Sequence, residues 1–242
     1  MNNGIYAAST GLMARTQELD VAANNLANAN TSGFRGGRVS FRTQLMSSSS
    51  NPATQAVSSF GVLGAPRTDF SQGSLAQTGN PLDLALEGQG FFAVQAPTGV
   101  QYTRNGNFHL SSTGQLVTQE GYAVLGTSGA ITMPQGTAEI STSGVISSDG
   151  AVAGQIKLVQ FDASVPMTSL GQGYFSAPQA AASDAQSDLS VRQGALENSN
   201  INPVQSAVGL IEIQRNAEML QRALNTIHTE FNRTAAQELP KV

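Results

Sequence analysis

The sequence predicts a mixed α and β protein, with long N- and C-terminal helices on either side of a central all-β domain. That domain is expected to be antiparallel and sandwich-like or barrel-like. Three observations carry this reading. Apolar residues recur at heptad spacing near the N-terminus, step by three and four near the C-terminus, and fall between in short runs split by turn residues. The expected division is an N-terminal helix and turn over 1–45, a Ser-rich linker or extended segment over 46–82, a β domain over 83–192 and a C-terminal helix over 193–242.

In the first segment Ile5, Leu12, Leu19 and Leu26 recur every seven residues. Ala8, Ala22 and Ala29 fill most intervening positions, with Arg15 as the exception. Such a narrow seam is that of a coiled coil rather than the broad stripe of a globular surface helix. A helix over 3–28 would be about 39 Å long, with Gly33 as its expected stop. Asn24, Asn25, Asn28 and Asn30 crowd its end, and each asparagine in a helix interior costs several tenths of a kcal/mol relative to alanine. Two readings fit: the helix frays into a turn here, or the amides form a polar, self-complementary packing surface.

The C-terminal pattern is the stronger one. Leu210, Ile213, Ala217, Leu220, Leu224, Ile227 and Phe231 alternate in steps of three and four, while Glu212, Arg215, Glu218, Arg222 and Glu230 lie off that seam. Asn202-Pro203 marks the start, because proline is tolerated in the first turn of a helix and not deeper. A helix of about 30 residues would span about 45 Å. Long helices with one apolar stripe need a partner, since each fully buried Leu or Ile stabilises by about 1.5–3 kcal/mol. The partner is the other terminal helix of the same chain or the helices of other copies; both use the same seam. A patch that mates head-to-tail with a different patch gives an open helical assembly where the rotation does not close.

From 83 to 192 the period changes. Phe91-Phe92-Ala93-Val94, Gln115-Leu116-Val117-Thr118, Tyr122-Ala123-Val124-Leu125 and Ile156-Lys157-Leu158-Val159-Gln160-Phe161 read as strands. Thr98-Gly99, Asn105-Gly106-Asn107, Thr113-Gly114, Ser128-Gly129 and Asp149-Gly150 supply turns. Residues 46–65 are Ser-rich and low in charge, which fits either a flexible linker or a segment ordered only against a partner.

Composition narrows the chemistry. Without cysteine, and with His109 and His228 as the two histidines, the chain has no thiolate site and little material for imidazole catalysis or metal binding. No cofactor or metal is expected. A net charge of −4 over 242 residues speaks against nucleic acid. Arg15, Arg35, Arg38 and Arg42 fit a solvated face or an inter-subunit charge contact better than a nucleic-acid arm. Gly88-Gln89-Gly90 precedes a strand rather than a helix, so it reads as a tight turn and not a phosphate loop. Asp149-Gly150 lacks the carboxylates of a calcium loop. No run approaches the roughly 18 apolar residues of a membrane-spanning helix, so direct membrane insertion is not expected. The opening residues lack the pattern of a cleavable signal peptide. Only 12 % of residues are charged, against about 25 % in an average domain. A surface rich in small residues and neutral amides suits a subunit enclosed by copies of itself, because each buried charge must be paired at a desolvation cost.

Ala23-Asn24-Asn25-Leu26-Ala27-Asn28 followed by Thr31-Ser32-Gly33-Phe34 resembles the N-terminal signature of flagellar basal-body rod, hook and hook-associated proteins. The resemblance continues through Gly88-Gln89-Gly90-Phe91-Phe92-Ala93-Val94, through Tyr102-Thr103-Arg104-Asn105-Gly106-Asn107-Phe108 and through Gly114-Gln115-Leu116. It closes with Gln193-Gly194-Ala195-Leu196-Glu197-Asn198-Ser199-Asn200-Ile201-Asn202 and Gln214-Arg215. It implies a non-enzymatic structural subunit of the basal-body rod whose two terminal helices pair as a coiled coil. It also implies export by the flagellar type III apparatus, a place in the periplasm-spanning rod, and copies of itself and other axial proteins as partners. The implied subunit-packing residues are Ile5, Leu12, Leu19, Asn24, Asn25, Leu26, Asn28, Gly33 and Phe34. On the C-terminal helix they are Leu210, Ile213, Gln214, Arg215, Ala217, Leu220, Leu224, Ile227 and Phe231. Pro81-Leu82-Asp83-Leu84-Ala85-Leu86, the 102–107 motif and Gln155-Ile156-Lys157-Leu158-Val159 look most like the proximal rod type. Phe91-Phe92 and Gln214-Arg215 look more like the distal type, and the balance favours proximal. The family often has an aromatic residue after Gln214-Arg215, where this chain has Asn216-Ala217. The competing readings are a non-polymerising assembly or interaction protein, and an enzyme with converging carboxylates in a pocket of the β domain.

Overall fold

The computed structural model describes residues 2–39, 41–45, 59–63, 66–134, 136–162, 164–184 and 189–238, and their side chains except those of 2–8, 41–45, 59–63, 184, 231, 232 and 234–238. The chain forms two compact units, one of Met1–Ala27, Gly37–Arg67 and Asn202–Val242, the other of Asn28–Gly36 and Thr68–Ile201.

The first unit holds both helices. The N-terminal helix runs over Asn2–Ala27, so it stops before the asparagine cluster is complete. Asn24 and Asn25 lie on the helix, while Asn28 and Asn30 lie in the turn that follows. The C-terminal helix, Pro203–Glu238, has 36 residues and is longer than its seam predicts. Asn202 caps it: its Oδ1 accepts from the backbone N–H groups of Val204 at 3.0 Å and Gln205 at 3.2 Å, donors with no partner inside the helix. The two helices lie against each other. Strand Phe41–Leu45 pairs antiparallel with Ser59–Leu63, opposing Phe41 to Leu63. Part of the Ser-rich stretch is therefore a strand of this chain; 46–58, 64 and 65 lie outside the described residues.

The second unit is built from antiparallel strands. Its main sheet runs in the order Thr168–Gly171, Tyr174–Ser176, Gly99–Thr103, Phe91–Ala96, Ala123–Gly126, Leu116–Thr118, Phe108–Leu110. Phe91–Ala96 is its centre. One neighbour is Gly99–Thr103; on the other side Ala123–Gly126 pairs with Val94 and Gln95, and Leu158–Gln160 pairs with Phe91 and Phe92. Alternation explains the unbroken apolar run. Phe92 and Val94 enter one core cluster with Leu84, Phe108, Leu116 and Ile146, while Phe91 and Ala93 enter a second with Tyr102, Val159 and Phe175. A strand buried on both faces reads as continuous hydrophobicity.

A three-stranded sheet of Ala138–Ile140, Val145–Ser148 and Ala151–Gln155 stands apart from the main one. Asp149 and Gly150 join its last two strands, with φ of 49° and 84°. Two left-handed residues in succession form the turn whose twist matches a hairpin, as the dipeptide predicts. Two further pairs return the chain to the entrance of the sheet: Leu84–Glu87 with Ser190–Gln193, and Leu75–Gln77 with Ala195–Glu197.

Candidate assembly surfaces and a buried ionic centre

Leu12, Leu19 and Leu26 are half-buried on the N-terminal helix, as are Leu210, Ile213, Ala217, Leu220 and Leu224 on the C-terminal one. Gln214 and Arg215 are exposed beside that seam, and Gln214 donates to Glu218 Oε1 at 3.4 Å. Ile227 remains 43 % exposed. Helices of 36 and 26 residues leave the longer with more seam than the shorter can cover. The side chains of Ile5 and Phe231 lie outside the described residues.

The amides divide by role. Asn25 Nδ2 donates to Gly37 O and its Oδ1 accepts from Gly37 N, both at 2.8 Å. This two-point contact uses the side chain as a strand would use its backbone, and it commits Asn25 within its own chain. Asn24 is exposed on the helix. Asn28 opens the following turn, where Thr31 N donates to Asn28 O at 3.1 Å.

Gly33 and Phe34 are both buried inside the β unit. Gly33 does not end the helix, which has stopped at Ala27. It lets the backbone pass against Arg104 and Asn105. Its φ is +70°, and a Cβ there would stand 2.4 Å from Asn105 N and 2.5 Å from Arg104 C. Gly33→Ala is expected to cost about 1–2 kcal/mol for the left-handed backbone and about 1–3 kcal/mol for the overpacked contact, read as a lower urea midpoint of the full-length monomer.

Arg35 follows, and it too departs from expectation. Rather than a solvated face or an inter-subunit contact, it forms a buried ion pair within the chain. Arg35 Nη2 donates to Glu197 Oε1, and Arg104 Nη1 donates to Glu197 Oε2 at 3.1 Å. All three residues are buried, Glu197 to 1 % exposure. The carboxylate also accepts from Gly73 N at 2.9 Å. Arg104 additionally donates to Gly88 O and lies 5.6 Å from the centre of the Phe91 ring. Burial lowers the Arg104 guanidinium to about 10; Glu197 opposes the fall and Arg35 adds to it. It therefore carries its charge at neutral pH. Arg104 and Glu197 lie in motifs that the sequence singles out, but no spacing links residues 93 and 162 positions apart.

Nearby, a cavity of about 320 Å³ is lined by Phe70, Phe91, Phe161, Met167, Arg104 and Asp162, among others. Among the described residues of its lining, Asp162 supplies the carboxylate. Among the described residues no group of three His, Asp or Glu could hold a metal ion, and no helix is long and apolar enough to cross a membrane.

Three family models match along the chain. One, flagella basal body rod protein, covers residues 5–35. A second, the flagellar hook protein FlgE/F/G D1 domain, covers 85–154. The third, flagellar basal body rod FlgEFG protein C-terminal, covers 192–236. A flagellar basal-body rod protein FlgF of Caulobacter vibrioides is 34 % identical over 245 residues, spanning 100 % of both chains. The chain belongs to the flagellar basal-body rod protein family. A rod protein FlgG of Agrobacterium fabrum is 35 % identical over 90 % of this chain and 93 % of its own. A FlgF of Salmonella typhimurium is 32 % identical over 94 % of each. The rod protein described here is thus a structural subunit of the flagellar basal body, in a family that is not enzymatic. Its ionic centre draws one residue from the range of each family model: Arg35, Arg104 and Glu197.

Proposed function

We propose that this rod protein is a polymerising subunit of the proximal rod, whose terminal helices pair as a coiled coil and pack against those of neighbouring copies to transmit torque across the periplasm. The observation that carries the reading is a second apolar stripe on the C-terminal helix. Val204, Val208 and Ile211 follow in steps of four and three at 71 %, 53 % and 50 % exposure, beside the half-buried seam. Met219 on the same helix and Met13 on the other are also exposed. A contiguous exposed apolar surface on a soluble chain marks a contact with a partner. One stripe then serves the helix pair and the other serves a neighbour. Copies of itself and other rod and axial proteins are the partners, with the flagellar type III apparatus as the export route.

Support for the proximal position comes from the full-length match to a FlgF protein and from the motifs at 81–86, 102–107 and 155–159. The FlgG matches favour the distal rod as the second reading. Reconstruction of basal bodies isolated from the source bacterium is the test. The chain is expected in the rod segment nearest the inner membrane. Density matching it in the outer segment would favour the distal reading, and its absence from the rod would overturn both.

A further inference from the structure

We infer that Glu197 and Asn200 form a latch that binds the stretches by which the chain leaves the β unit into one body. This role goes beyond assembly and does not depend on it. Residues 28–36, the segment from 68 onward and the segment ending at 201 all belong to the β unit, and each leads out of it. Three residues apart, Glu197 and Asn200 lace these segments together.

Glu197 acts through three groups. Its carbonyl accepts from Gly33 N at 2.7 Å. One carboxylate oxygen receives Arg35 and Gly73 N, and the other receives Arg104. Asn200 completes the arrangement. Its Oδ1 accepts from Gly36 N at 2.9 Å, while Nδ2 donates to Asp69 O at 2.8 Å and lies within 3.3 Å of Ser71 O. Between these anchors, Asp69 N donates to Gly36 O at 2.8 Å, and Asn200 N reaches Phe34 O at 3.4 Å. Each exit segment is therefore bonded to the others through two side chains, and a pull on one is shared among all.

The latch is polar, whereas the cores of the β unit are apolar, so the two are separable by local opening. Hydrogen exchange of the full-length monomer tests this with Asn200→Ala, a substitution at a half-buried site that leaves Phe34 and both core clusters intact. Amides of 33–36 and 69–73 are expected to exchange about 10- to 100-fold faster, with those of Phe91–Ala96 and Ala123–Gly126 unchanged. Asn198→Ala, which removes an exposed contact to Ser74 Oγ, is expected to leave 33–36 as in the parent. Unchanged exchange at 33–36 in Asn200→Ala would overturn the latch, because burial of Phe34 would then hold the segment. A uniform rise that includes the core strands would overturn it as well.

Discussion

Glu197→Gln is expected to destabilise the full-length monomer by about 3–5 kcal/mol, measured as the fall in unfolding free energy in urea. The size follows from what remains. Glutamine keeps the shape and still offers an oxygen to Gly73 N, but Arg35 and Arg104 stay buried with their shared counter-charge removed. Removing one partner of a buried ionic group leaves an uncompensated charge, which is far more costly than the net worth of the pair. The centre already carries two cations to one anion, and Arg35 Nε is buried with no hydrogen-bond partner among the described residues. An exposed pair provides the contrast. Arg192 and Glu87 meet at 3.2 Å with both side chains about half exposed, and Arg192→Ala is expected to change stability by about 0–1 kcal/mol. Similar losses for the two variants would show that burial does not set the worth of the ionic centre.

Leu220→Asp is expected to abolish rod assembly and swimming while the β unit stays folded. Leu220 sits mid-way along the half-buried seam of the C-terminal helix. A carboxylate there forfeits about 1.5–3 kcal/mol of apolar burial and adds a charge to a surface that must be desolvated when helices meet. The core strands lie in the other compact unit, so their circular dichroism and exchange protection are expected to persist. Val208→Asp separates the two seams. Val208 lies on the exposed stripe, so this change is expected to leave the monomer's helix content intact and still block incorporation into basal bodies. Normal basal bodies from Leu220→Asp would remove the helices from the assembly mechanism. Normal basal bodies from Val208→Asp would confine that mechanism to the first seam.

Much of this architecture is legible along the chain. Leu210, Ile213, Ala217, Leu220 and Leu224, which the steps of three and four select, are half-buried on the C-terminal helix, because helical period is a local property. Phe91-Phe92-Ala93-Val94 reads as a buried strand, and Asp149-Gly150 reads as a hairpin, since each depends on a few neighbouring torsions. The second stripe, Val204-Val208-Ile211, has the same kind of spacing and was open to the same reasoning. It is obscured in sequence because it lies next to a longer and more regular seam.

Charge is where local reasoning stops. Arg35 reads as a surface residue because nothing within a helical turn or a strand's reach of it is acidic, and its counter-ion is 162 positions away. Gly33 reads as a helix stop because helices commonly end on glycine, whereas its task is to admit the backbone of Arg104 and Asn105. By itself the sequence determined the kinds of element, the two helical seams and the rod family, all of which rest on periodicity or short ordered motifs. Only the tertiary structure decided which polar residues are buried together. The strand pairs Leu84–Glu87 with Ser190–Gln193 and Leu75–Gln77 with Ala195–Glu197 bring the end of the β unit back to its beginning. A buried charge is stable only where such a return supplies its partner.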